Sequence, residues 1–272
     1  MRNFAIVLIT FLYLFGCKND DQPSPIPKLQ NCAIEYLYFS DDYRFAGNTI
    51  NFPPNDALKT ICSYEYQNDK IVKVTGGFLR VPSGSNFSNF VFSEDVSDSI
   101  VYSGNNIYVF TKYTNLPSSN SGNPITYTLD SDDKIQKLTL SNGFDTSFEV
   151  NYSYSKNEIT EKNKNGVIFR KFYMEGNNLV RIVKQSFDLQ GNIIRKEEIL
   201  FQEYDTNPNP FKNKYHILGA FYRAFSKNNY KKTTKLVYTI LVDGSFGLIS
   251  TSQFSMPIIY DDRGYPLFGT YE

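Results

Sequence analysis

Ser147-Phe148-Glu149-Val150-Asn151-Tyr152-Ser153-Tyr154 alternates without a break. Phe148, Val150, Tyr152 and Tyr154 fall on one side; Ser147, Glu149, Asn151 and Ser153 fall on the other. Successive side chains of an extended chain point to opposite faces, so a period of two marks a half-buried strand. Ser155-Lys156-Asn157 ends the run as a turn, and Ile159 starts the next one.

Outward from this stretch the same unit recurs. Tyr64 to Tyr66 meets a turn at Asn68-Asp69 and resumes at Ile71. Tyr127 to Leu129 turns at Ser131 to Asp133 and resumes at Ile135. Ile168 to Met174 turns at Gly176-Asn177, and the run to Phe187 turns again at Gln190-Gly191-Asn192. Lys235 to Val242 turns at Asp243-Gly244, and Ile258 to Tyr260 turns at Asp262-Arg263-Gly264. Asn, Asp and Gly tolerate the positive φ that tight hairpin turns require. Hairpins in series give an antiparallel meander of about 14–17 strands. So many strands cannot lie in one flat sheet. The expected fold is all-β: a large curled sheet, open or closed like a barrel. With 21 Tyr and 23 Phe, no Trp, 41% hydrophobic and 21% charged residues, the composition is globular and favours strands.

One stretch breaks the rhythm. Asp205 to Asn229 holds Pro208 and Pro210, and then Leu218, Phe221, Tyr222 and Phe225 at helical spacing. It reads as a long crossover with a short helix near 213–225 that plugs an open end of the sheet. Pro82 to Asn89 and Asn115 to Asn123 read as flexible loops rich in Ser, Asn and Gly.

The N-terminus has a different character. Phe4 to Phe15 is apolar apart from Thr10 and follows Arg2. At twelve residues it is too short to span a bilayer, which takes roughly 20 helical residues, and it fits the apolar region of a secretory signal. Leu14-Phe15-Gly16-Cys17 resembles a lipobox, with Phe15 bulkier than the common form; an ordinary secretory signal is the alternative. The expected organisation is a signal peptide over 1–16, a lipidated Cys17 with a Pro-rich tether over 17–31, and one β-meander domain over 32–272. Two or more acyl chains on Cys17 would hold stably in a lipid bilayer, at about 0.8 kcal/mol per buried CH₂. The tether from Lys18 to Asn31 is 14 residues and reaches at most about 45 Å.

Cys17 aside, Cys32 and Cys62 remain. In an oxidising compartment they form either a disulfide or two buried thiols; a bond closing their loop would contribute roughly 3–4 kcal/mol. Residues 151–235 carry 16 basic and 8 acidic side chains. These read as the solvent faces of successive strands, and no nucleic-acid motif accompanies them.

Catalytic signatures are sparse. His216 is the single histidine, with no nucleophile-elbow context. A zinc site needs three or four Cys or His ligands, so no metal or cofactor is expected. Asp130-Ser131-Asp132-Asp133 lacks the glycine and distal glutamate of a calcium loop and reads as a turn. Paired carboxylates for glycan hydrolysis have no specific signal.

Three segments carry a family resemblance: Tyr204-Asp205-Thr206-Asn207-Pro208-Asn209-Pro210-Phe211, then Phe225-Ser226-Lys227-Asn228-Asn229, then Tyr260-Asp261-Asp262-Arg263-Gly264-Tyr265-Pro266. They resemble a group of uncharacterised Bacteroidota lipoproteins with a porin-like curled β fold, and the last is similar to tyrosine–aspartate repeats. The resemblance implies a structural role for these turns and brings no residue roles. Lys18-Asn19-Asp20-Asp21 resembles the export signal of surface lipoproteins; a plain polar linker is the alternative. The expectation is an outer-membrane lipoprotein facing outward, with a periplasm-facing one as the alternative. Its β domain is expected to be non-catalytic, binding a glycan or a surface protein or serving structurally. A glycan-directed hydrolase or glycan-binding protein is the second reading.

Overall fold

The computed structural model describes residues 28–33, 49–51, 60–83, 86–114, 124–141 and 147–268. Cys17, the leader and the loop at 115–123 lie outside the described residues. The strands are β1 (Asn31–Ala33), β2 (Thr49–Asn51), β3 (Ile61–Gln67), β4 (Lys70–Ser83) and β5 (Asn86–Ser103). Next come β6 (Asn106–Tyr113), β7 (Ile125–Leu129), β8 (Ile135–Ser141), β9 (Ser147–Tyr154) and β10 (Glu158–Asn163). The series ends with β11 (Ile168–Glu175), β12 (Asn178–Phe187), β13 (Ile193–Pro208), β14 (Asn228–Ile240) and β15 (Phe246–Ser255).

All 15 strands among the described residues belong to one sheet, and from β3 to β15 each pairs with its neighbours in sequence. The all-β meander is therefore observed. It has one departure, since β2 pairs parallel with β5. β5 outruns β6, whose ladder ends at Val96↔Tyr113, and β2 covers the edge left open at Asn89–Val91. The loop expected over Pro82 to Asn89 is instead strand on both sides of residues 84–85.

β9 bears out its alternation. Val150 and Tyr152 are buried, while Phe148 and Tyr154, on the same face, reach the strand ends and are half exposed. Tyr154 OH donates to Ile135 O at 2.8 Å. Two tight turns have the two-residue geometry their sequences imply, with positive φ at Asn68 and Asp69, and at Gly176 and Asn177.

A second turn form recurs five times, at Asp130–Lys134, Asn163–Val167, Asp188–Asn192, Leu241–Ser245 and Asp261–Tyr265. In each, the first residue's N–H donates to the fifth carbonyl, and the fourth N–H donates to the first carbonyl. The fourth residue has positive φ: Asp133, Gly166, Gly191, Gly244 and Gly264. In four of them the first side chain, an Asp or Asn, accepts from the third and fifth N–H groups, as Asp188 Oδ1 does from Gln190 N (2.9 Å) and Asn192 N (2.8 Å). One side chain thereby satisfies two backbone donors that the turn leaves over.

The sheet curls around a plug formed by the chain between β13 and β14. Phe211, Tyr215, Ile217, Leu218, Phe221, Tyr222 and Phe225 are all buried. Phe225 lies 4.9 Å from Phe172 of β11, Tyr222 5.9 Å from Phe201 of β13, and Phe221 6.4 Å from Tyr152 of β9, ring centre to ring centre. Leu218 approaches the bend in β4 at Gly76-Gly77. Gly76 has φ +97, and a Cβ there would sit 3.0 Å from Ile61 O.

The helix expected near 213–225 is realised as a series of turns ending in one 3-10 turn, Arg223–Phe225. Asn213 and Gly219 have positive φ, which interrupts an α-helix. The segment is also buried on nearly every side, so it has no polar face to present to water. Asn209 takes over the work of a hydrogen-bond ladder: its Nδ2 donates to Arg223 O and Ser226 O, and its Oδ1 accepts from Phe211 N.

The ladder is not closed. After β15 the chain runs back across the plug; Tyr260 bridges Pro266, and Ala33 N of β1 donates to Phe268 O at 2.9 Å. The hairpin expected from Ile258 onward is therefore a single bridge around the Asp261–Tyr265 turn. Among the described residues no helix is long and apolar enough to cross a membrane.

Candidate functional site

Three hairpin ends meet the plug and leave a cleft of about 250 Å³. They are the β3–β4 turn at Asp69, the β5–β6 turn at Gly104-Asn105 and the β7–β8 turn at Asp130 to Asp133; the plug contributes residues 212–214 and His216. The walls hold three carboxylates (Asp69, Asp130, Asp133) and three amines (Lys70, Lys212, Lys214).

At its floor Tyr102 and His216 form a defined pair. Tyr102 OH donates to Ile71 O at 2.9 Å, so its one proton is used. It lies 2.9 Å from His216 Nε2 and must accept there. Neutral His216 is therefore the Nε2–H tautomer, with its lone pair on Nδ1. Burial, and then the neighbouring Tyr66, push the Tyr102 hydroxyl up, which keeps it protonated. Tyr102 and Tyr127 hold the imidazole edge-on, at 5.6 and 6.3 Å between ring centres.

The lysines differ in their commitments. Lys70 Nζ lies 4.8 Å over the Tyr102 ring. Lys212 Nζ donates to Phe225 O at 3.0 Å, and burial lowers its titration below the usual lysine range, helped by Lys134. Lys214 is brought down by burial to about 8, so its amine changes charge near physiological pH. Asp130 Oδ1 is occupied by the Asp132 and Lys134 N–H groups, which makes it turn scaffold as well as wall.

The sequence around His216 carries no catalytic signature. His216 is buried, and it also lines the cleft. Lys212 and Lys214 carry a weaker signal in the sequence: two lysines between Phe211 and Tyr215 at the start of an aromatic-rich insertion. Cys32 and Cys62 lie elsewhere, directly opposite each other across β1 and β3, both buried. Their sulfurs point to carbonyls, Cys32 Sγ to Ala33 O (3.5 Å) and Cys62 Sγ to Gly76 O (3.4 Å). Among the described residues no group of three or more His, Cys, Asp or Glu gathers as a metal site would need.

The three segments that carry the family resemblance converge in one knot. Tyr204 OH donates to Leu179 O at 2.5 Å and lies 3.1 Å from Ser226 Oγ. The Asp205 carboxylate accepts from Asn229 N, Asn229 Nδ2 and Tyr260 OH. Arg223 is buried beneath, its guanidinium 4.1 Å over the Tyr230 ring and 4.9 Å over the Phe268 ring. The knot ties β13, the plug and the C-terminal segment together.

No protein-family model matches the chain. No curated protein matches it. Among solved structures it is similar to a porin-like protein from Bacteroides vulgatus ATCC 8482: 12% identity, 76% of this chain and 84% of the other covered, TM-score 0.44. It is likewise similar to a porin-like protein from Bacteroides uniformis ATCC 8492: 12% identity, 71% and 87% covered, TM-score 0.38.

Proposed function

We propose that this protein is a lipoprotein tethered through Cys17, and that its β domain binds a small polyhydroxylated ligand, a sugar unit of a glycan, without transforming it. The observation that supports the binding reading is the cleft wall. A hydroxyl group both donates and accepts, and a wall carrying Asp69, Asp130 and Asp133 beside Lys70, Lys212 and Lys214 offers both partners without favouring a charged ligand. The volume suits one sugar ring. The hydrolase reading needs one carboxyl free to act as an acid, whereas Asp130 has Oδ1 committed to two turn N–H groups and Asp69 pairs with Lys28 at 2.8 Å.

A glycan array followed by calorimetry on the intact lipoprotein in detergent tests this. Lys214→Ala is expected to weaken binding about tenfold, the scale of one charge-assisted hydrogen bond. Binding should also weaken as pH rises through about 8, where the Lys214 amine loses its proton. An array with no hits at high micromolar protein would sink the glycan reading. Release of reducing ends from a bound glycan would replace binding with hydrolysis. For the tether, Cys17→Ala is expected to leave unprocessed precursor and abolish acyl labelling; unchanged labelling would refute it.

A further inference from the structure

Among the described residues, the last strand of the sheet is an unprotected edge. β15 pairs with β14 along its length, and among the described residues nothing pairs with its other side. Edge strands ordinarily carry Lys, Pro or inward charge that stops a second chain from adding to them. β15 carries none of these. Residues 244–260 contain no charged side chain, whereas β14 beside it has Lys231, Lys232 and Lys235. The strand is exposed along nearly its whole length, and among its Ser and Thr residues Leu248 is 55% exposed, Ile249 58% and Phe254 54%. Ile240, Leu241, Val242 and Phe246 extend the same corner.

We infer that β15 is a dimerisation edge, on which a second copy of this chain lays its own β15 antiparallel about a two-fold axis. The lack of charge fits a copy of the strand as the occupant. A basic or acidic partner strand would find no counter-charge here, whereas a copy of the strand meets neither counter-charge nor like charge. With an axis within Ser250–Ser255, Asp243 of each copy falls beyond the end of the facing strand. The ladder register also favours that half. Between Val237↔Ser250 and Tyr238↔Leu248 it skips Ile249, so the strand is bulged there and regular from Ser250 to Ser255. An isologous pairing of this kind consumes both edges and stops at two copies.

The test uses the full lipoprotein in native membranes and in detergent. Ser252→Cys, near the axis, is expected to give a covalent dimer with a short bismaleimide; Ser245→Cys, at the far end of the strand, and the parent chain are expected to give none. In detergent, light scattering corrected for the micelle should give twice the chain mass. Phe254→Lys should halve it while leaving the circular dichroism unchanged. A monomeric parent, cross-links only to a different protein, or open-ended larger assemblies would each overturn the inference.

Discussion

At the scale of single residues, the core contains an ion pair that sequence patterning could not place. Glu161 and Arg170 face each other across β10 and β11, both buried, with Arg170 Nε 3.4 Å from Glu161 Oε1. Arg170 Nη1 donates to Tyr222 OH of the plug at 2.7 Å, so the pair orients the plug against the sheet. Removing one partner leaves a buried charge and costs about 3–5 kcal/mol, whereas replacing both by apolar side chains is often close to neutral. Arg170→Met alone is therefore expected to lower the denaturation midpoint strongly, and Glu161→Leu with Arg170→Met should recover most of the loss. A double variant no more stable than Arg170→Met alone would show that Glu161 is not left as a costly unpaired charge. In the sequence these residues stand in ordinary alternating strands, and only the curl brings both onto the plug. Arg223 is legible for the same reason only in retrospect: its neighbours Tyr222, Ala224 and Phe225 announce burial, but Tyr230, Met256 and Phe268 reach it from distant segments.

At the scale of elements, turns were the most readable part of the chain. The alternation of β9 and the Asn-Asp and Gly-Asn turns are local, so a short window contains their cause. The recurring five-residue turn makes a pH prediction. Asp188 is held below the usual carboxylate range by the side chain of Asn192 first and by its backbone N–H next. Asp243 is lowered by the Ser245 side chain first, and Asp261 by the Tyr265 N–H first. A carboxyl whose folded value is depressed binds its proton more weakly when folded. Its contribution is complete above the unfolded value of about 3.9 and is lost as pH falls through the folded value. Urea midpoints should therefore decline from pH 5 toward pH 2. The Asp188→Asn, Asp243→Asn, Asp261→Asn triple variant should show a shallower decline; an identical profile would mean that these turns carry none of it. The helix near 213–225 was the harder element, because its stripe of Leu218, Phe221, Tyr222 and Phe225 satisfies helical spacing. Burial of the other faces and the positive φ of Asn213 and Gly219 are set by the surrounding sheet, which no short window contains.

At the scale of the whole molecule, one open sheet is held in a curl by what it encloses. Phe268 packs 6.2 Å from Phe211 of the plug and lies under Arg223, while its carbonyl receives Ala33 N from β1. Phe268→Ala is expected to cost about 3–5 kcal/mol and to speed hydrogen exchange in β1 and the plug together; faster exchange in the plug alone would show that the C-terminal segment does not tie the two ends. The near-sequential strand order also has a kinetic side. Most ladder contacts join strands adjacent in the chain, so their loop-closure cost is small and each hairpin can form soon after its residues are made. The plug follows β13, and its seal, Met256 to Phe268, comes only after β15. Until β13 has been made the growing sheet thus presents its aromatic inner face unfilled, and the rate at which the plug and the segment after β15 arrive sets how long that face is open to misassociation.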